Sequence, residues 1–272
     1  MSRPWNSSVC LQVSARAVRG TLCAGWPRRK VIQRAIQVVP APEGAEADAG
    51  SFDAGSVDVV LAQLAAAAPI RGARLAVELA DDRVHFDVVG GEFGTASNRQ
   101  LRAVSTACVT ELMGDEAAAQ SIRWQLQHDL AHLLICAIAQ TDIDSLTQAA
   151  ARHGLRLASL QPDFSAAWNR HARSLPAGNG VFGVSGGGHA TVVCVERGAV
   201  VAITSGAWAE EPPDTDAAPV TQSSLDQRVD RLLASAGIDA TDITAFLFVA
   251  PELATRRLSP RWAIVGRTQE AA

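Results

Sequence analysis

Residues 133–170, LLICAIAQTDIDSLTQAAARHGLRLASLQPDFSAAWNR, decide the fold class. The apolar run 133–138 is too short for a buried helix and reads as a buried strand. Thr141 can cap the helix that follows. Asp144, three residues on, suits the positive end of the helix dipole. His153-Gly154 ends the helix, with glycine as the left-handed terminal residue. Residues 155–160 read as another strand, and Asp163 caps a further helix that Pro176 closes. A strand–helix–strand–helix run places part of the sheet in parallel pairing.

Working outward, residues 9–24 and 31–39 mix β-branched and small residues. They predict two or three antiparallel strands with a turn at Val18-Arg19-Gly20. The acidic, Pro/Gly/Ala-rich stretch 40–56 reads as a loop, and 57–68 as a helix stopped by Pro69. Strands are predicted at 73–79 and 83–89 around Asp81-Asp82. Two helices follow at 98–113 and 115–132, broken by Gly114. Residues 177–180 read as a hinge. Residues 181–185 and 190–205 predict a hairpin region turning at Arg197-Gly198, and 209–222 a second acidic loop. An amphipathic helix over 223–236 carries Leu225, Val229, Leu232 and Leu233 on one face. Strands at 244–250 and 262–265 complete the chain.

The 272 residues fit one two-lobed domain or two small ones. With 48% hydrophobic and 19% charged residues, the chain can bury a sizeable core. A net charge of −4 argues against nonspecific nucleic-acid binding. The five cysteines, Cys10, Cys23, Cys108, Cys136 and Cys194, are widely spaced without a C-x-x-C pair. They read as buried apolar residues in a reducing compartment, not as a metal site. The N-terminal residues lack a signal-peptide layout and no run of 18 apolar residues occurs, which predicts a cytoplasmic protein without a membrane span.

This order of elements resembles the actin-like ATPase fold, a ribonuclease H-like architecture in which one sheet-and-helix half occurs twice. Residues 11–23 and 133–168 carry a closer resemblance, to the PilM/GspL group of type IV pilus and type II secretion assemblies. The resemblance implies an α/β chain with a degenerate actin-like fold: two lobes of mixed sheet with flanking helices and an inserted small subdomain. The lobes would be residues 1–178, with the insertion at about 85–132, and residues 179–272. It also implies a non-catalytic, PilM-like cytoplasmic scaffold held at the inner membrane through a partner. That partner would be an inner-membrane assembly protein offering a short cytoplasmic segment, or the assembly ATPase. A groove beside an exposed strand suits such a segment, and the inserted subdomain is the expected surface.

Within that resemblance the departures point to a pseudo-ATPase. Gln12 stands where the family's first acidic residue would hold Mg²⁺ through water, and a neutral amide cannot offset the cation. Ser14 replaces the glycine that lets phosphate approach the backbone. Residues 181–190, VFGVSGGGHA, contain no acid, and the late strand ends in Val249-Ala250-Pro251-Glu252 instead of a Gly-Gly turn. The degenerate nucleotide site is therefore Gln12, Ser14, Gly186, Gly187 and Gly188. No catalytic residue, no metal and no tight Mg-ATP binding are expected. A weak nucleotide-binding ATPase is the alternative, with Asp87 or Asp163 as the missing carboxylate.

Gly183-Val184-Ser185-Gly186-Gly187 matches G-x-S-x-G, with His189 close by, and raises a serine-hydrolase alternative at Ser185. A nucleophile elbow needs a helix after the serine, whereas residues 191–195 favour a strand. The same glycines can cradle a phosphate through backbone N–H groups or simply make a tight turn. His128 and His132, four apart, would share a helix face. The zincin pattern needs Glu after the first His and has Asp129 here, with no third ligand nearby. Asp81-Asp82 and Asp142/Asp144 sit at a turn and a helix start, ordinary structural positions. Arg28-Arg29-Lys30 forms a basic cluster that reads as a solvated loop or a lipid contact. Trp124 and Trp168 are expected on core helices, and Trp26 and Trp208 near loops available to a partner.

Overall fold

The computed structural model describes residues 7–24, 30–39, 54–175, 178–186, 189–207, 224–250 and 261–266. The chain divides into two compact units, one of residues 1–83, 139–166 and 268–272, the other of residues 84–138 and 167–267.

The first unit starts with three strands, β1 (Ser7–Val13), β2 (Ala17–Ala24) and β3 (Lys30–Val38). Helix α1 (Ala54–Ala67) leads to β4 (Arg74–Leu79), and α3 (Gln140–Arg152) leads to β8 (Arg156–Pro162). The five-stranded order is β3-β2-β1-β4-β8. β1–β2 and β2–β3 are antiparallel, whereas β1–β4 and β4–β8 are parallel. Alternation puts Val9, Leu11 and Val13 on the face covered by α1, where Val57, Val60, Leu61 and Leu64 are buried. Each such aliphatic side chain contributes about 1.5–3 kcal/mol by leaving water. Gly20 belongs to that face because an added Cβ would lie 2.9 Å from Leu64 Cδ1. The first hairpin turns at residues 14–16, not at Val18-Arg19-Gly20 as the glycine suggested; Gly20 marks close helix packing inside β2.

In the second unit, β9 (Asn179–Gly186), β10 (His189–Glu196) and β11 (Ala199–Ala207) precede α5 (Ser224–Ala236), β12 (Ile243–Ala250) and β13 (Trp262–Gly266). Their order is β11-β10-β9-β12-β13, again an antiparallel meander continued by parallel strands. The two five-stranded sheets therefore repeat one topology. The turn between β10 and β11 has both Arg197 (φ 49°) and Gly198 (φ 85°) in the left-handed region, as a tight hairpin requires. Leu225, Val229, Leu232 and Leu233 of α5 are buried against Val181, Ala190, Val192 and Phe248.

The same unit contains β5 (Val84–Gly90), α2 (Asn98–Met113), β6 (Gln120–Leu126) and β7 (His132–Ala139), with a sheet ordered β5-β7-β6. A capping box between Ser97 and Gln100 starts α2. Leu101 and Val109 pack on Leu133, Ile135 and Ala137 of β7. The helix expected over 115–132 is instead a short 3-10 turn, strand β6 and a loop. Ile122, Trp124 and Leu126 alternate toward α2, the period of a strand and not of a helix. Helix α4 (Asp163–His171) begins in the first unit and ends in the second. No helix among the described residues is long and apolar enough to cross a membrane.

Candidate functional site

The tip of the first hairpin holds the two residues expected at the phosphate end of β1. Ser14 is committed to the turn: its N–H and hydroxyl both donate to Ala17 O at 3.0 Å, and its Oγ accepts from Ala17 N at 3.1 Å. Gln12 lies opposite Glu78 in the parallel β1–β4 register, and its amide donates to the Glu78 carboxylate at 3.2 Å. Glu78 is a carboxylate that the sequence reading overlooked. Its signal was available, since the strand carrying it ends beside the first hairpin in any parallel β1–β4 pairing.

In the second unit, Ser185 sits inside β9, paired with Ala190 on β10, and is 3% exposed. Its Oγ has no hydrogen-bond partner among the described residues. His189 turns to Ser205 Oγ at 2.8 Å, and Ser205 also meets Thr191 Oγ1 at 2.7 Å. A strand follows Ser185, so the G-x-S-x-G match is a hairpin and lacks the helix a nucleophile elbow requires. Gly183 is needed for packing: a Cβ there would fall within 2.7 Å of Phe248 Cε2. Gly186 ends β9, while Gly187 and Gly188 lie outside the described residues.

The sequence reading also missed Arg228. It donates to Gly206 O at 3.0 Å, Ala207 O at 2.7 Å and Ala190 O at 3.3 Å, tying α5 to the strand ends. Burial, then the Arg231 charge, lowers its pKa from the usual arginine value. Gly206 leaves room for this guanidinium, because a Cβ there would stand 3.3 Å from Nη1.

The remaining acids have structural duties. Asp81 Oδ1 accepts from Phe164 N at 3.0 Å at the start of α4, where Asp163 is also buried. Asp142 pairs with Arg83 at 3.3 Å in the first turn of α3. That helix begins at Gln140 with Ala139 as its N-cap, so Thr141 is not the cap, and Asp144 accepts from Gln140 at 2.9 Å. Asp87 lies on β5 and accepts from Val88 N at 2.8 Å, in the other unit from Asp163.

His128 and His132 do not share a helix face. The chain turns between them, with Leu130 in the left-handed region (φ 59°). His128 Nε2 meets Arg197 O at 3.0 Å, and His132 Nδ1 meets Asp129 Oδ2 at 2.6 Å. Burial pushes the Asp129 carboxyl up, but hydrogen bonds from the His132 side chain and the Ala131 and His132 N–H groups outweigh it and hold the pKa below 3.8. No cluster of three metal-ligating side chains occurs among the described residues. Trp124 packs from β6, not from a helix, and Trp168 of α4 meets Phe182 edge-on at 5.3 Å. Trp26, Arg28, Arg29 and Trp208 lie outside the described residues, as do Pro251 and Glu252.

Two sheets of one topology, each with its meander, helix and parallel strands, define the class as the actin-like ATPase fold. No protein-family model matches the chain, and no curated protein sequence matches it. Solved structures do share its fold. The PilM–PilN type IV pilus biogenesis complex matches at a TM-score of 0.60 with 12% identity, over 95% of this chain and 88% of that one. The cytoplasmic domain of EpsL, an inner-membrane component of the Vibrio cholerae type II secretion system, matches at 0.54 with 10% identity, over 98% and 88%. A Bacteroides thetaiotaomicron protein of actin-like ATPase fold and unknown function matches at 0.52 with 9% identity, over 90% and 82%. At these identities the likeness is one of fold.

Proposed function

We propose that this protein is a non-catalytic scaffold of a type IV pilus or type II secretion-like assembly. It would work at the cytoplasmic face of the inner membrane by holding a cytoplasmic segment of a membrane partner. The observation that carries this reading is the extent of the likeness, since nearly the whole chain follows the fold of PilM and of the EpsL cytoplasmic domain. The first hairpin supports it. Gln12 offers an amide where a cation-binding carboxylate would be needed, and the Ser14 hydroxyl is used up inside the turn.

Weak nucleotide binding is the second reading, and Glu78 favours it. This carboxylate lies beside Gln12 and could supply the missing negative charge. ATP binding that Glu78→Gln abolishes would support it.

The scaffold reading is tested by cross-linking the tagged full chain in its native host and identifying what co-purifies. An integral membrane protein of a pilus or secretion apparatus is the expected result. Recovery of no membrane protein, together with steady ATP turnover by the purified chain, would overturn the reading.

A further inference from the structure

The outer edge of the first sheet has a composition unlike the other surfaces. β3 is the terminal strand, and no strand covers its outer side among the described residues. It exposes Val31 (37%), Ile32 (47%), Ile36 (60%) and Val38 (68%). The other large apolar residues exposed among the described residues, Val59, Leu112 and Leu130, each stand alone on a different element. The opposite edge strand, β8, exposes Arg156, Ala158 and Ser159 instead. Long apolar edges are templates for another strand, and proteins ordinarily shorten them, bend them or seed them with prolines. β3 runs for nine residues without a proline, and its devices of this kind are one irregularity of register at Ile32 and the charges of Lys30 and Arg34.

The described residues of the three strands that form this edge carry charge of one sign. Residues 7–24 and 30–39 contain Arg16, Arg19, Lys30 and Arg34 and no Asp or Glu, although the whole chain carries −4. Across the β2–β3 register, Arg19 stands opposite Ile36, Thr21 opposite Arg34 and Ala17 opposite Val38. Cross-strand partners share a face, so cationic and aliphatic side chains alternate on the face away from α1. Ala35 points the other way, buried opposite Gly20.

We infer that β3 binds an extended acidic and aliphatic segment of a partner protein by strand addition. Backbone hydrogen bonds would supply the pairing, Val31, Ile36 and Val38 the apolar contact, and the arginines the preference for acidic residues. The site differs from the 85–132 surface expected from the resemblance. The inference rests on the scaffold reading for the existence of a partner, and on the sheet edge alone for where and how it binds.

The test is fluorescence anisotropy of a labelled peptide, VTIEETVE, with the full chain. Controls are the lysine-reversed VTIKKTVK, the acidic peptide with proline at its third and sixth positions, and phosphatidylglycerol vesicles. Binding of the acidic peptide is expected, weakened about tenfold or more by Ile36→Glu or Val38→Glu, by proline and by charge reversal. Both substitutions fall on exposed side chains, and circular dichroism checks that the fold is kept. Equal binding of the proline peptide, equal binding of the lysine peptide, no peptide binding at all, or vesicle binding in place of peptide binding would each overturn the inference. Peptide binding by a chain that co-purifies with no membrane protein and turns over ATP steadily would sink the secretion reading and leave the strand-addition site.

Discussion

Gly183→Ala and Ser185→Ala separate packing from chemistry in the G-x-S-x-G segment. At Gly183 a methyl group would meet the Phe248 ring, with Cε2 at 2.7 Å. Phe248 cannot retreat easily, being fully buried and edge-on to Trp262 at 5.3 Å. Overpacking of this kind costs about 1–3 kcal/mol, and the rigid ring places Gly183→Ala in the upper half of that range. At about 2–4 °C per kcal/mol for a chain of this size, the melting temperature should fall by about 4–12 °C. Ser185→Ala should do the reverse. Its Oγ is buried without a partner among the described residues, so removing it relieves a desolvation cost. Stability should stay within about 0.5 kcal/mol of the parent or rise by about 1 kcal/mol. Urea unfolding followed by circular dichroism and tryptophan fluorescence measures both. A silent Gly183→Ala, or a Ser185→Ala variant destabilised by more than about 1 kcal/mol, would refute the packing argument. Loss of esterase activity in Ser185→Ala would restore the hydrolase alternative.

Asp226 is buried and accepts from Trp262 Nε1 at 3.0 Å and from Arg261 Nη2 at 2.6 Å. Asp226→Ala strands the indole donor and should cost about 1–3 kcal/mol; the partly exposed Arg261 adds little, and an unchanged urea midpoint would contradict this. Burial pushes the Cys194 thiol up to about 12, so iodoacetamide at pH 8 should leave it unmodified in the native protein and label it in urea. Mass spectrometry showing rapid native labelling would count against that burial. The depressed Asp129 carboxyl contributes stability that is present above its unfolded value of 3.8 and lost as pH falls through the lower folded value. Asp129→Asn should therefore flatten stability on the acid side below about pH 4, and identical acid profiles for variant and parent would refute the assignment.

Much of the fold was legible because burial is periodic. The apolar runs 133–138 and 244–250 and the stripe of Leu225, Val229, Leu232 and Leu233 each found their strand or helix. Residues 115–132 misled because helix-favouring Ala, Gln and Leu outweighed the two-residue alternation of Ile122, Trp124 and Leu126. Gly20 misled because a glycine that admits α1 looks the same in sequence as one that makes a turn. The site was legible only in part. Gln12 and Ser14 could be singled out by register, but what their side chains do depended on pairing with Glu78 and Ala17. Arg228 carried no local signal, because its acceptors are backbone carbonyls from distant strands.

Isothermal titration of the folded protein with ATP and Mg²⁺ distinguishes an actin-like frame used as a scaffold from a working nucleotide site. No binding tighter than about 100 μM, near −5.5 kcal/mol, is expected. Binding tighter than that, lost in Glu78→Gln, would contradict the scaffold reading and make the first hairpin a working nucleotide site.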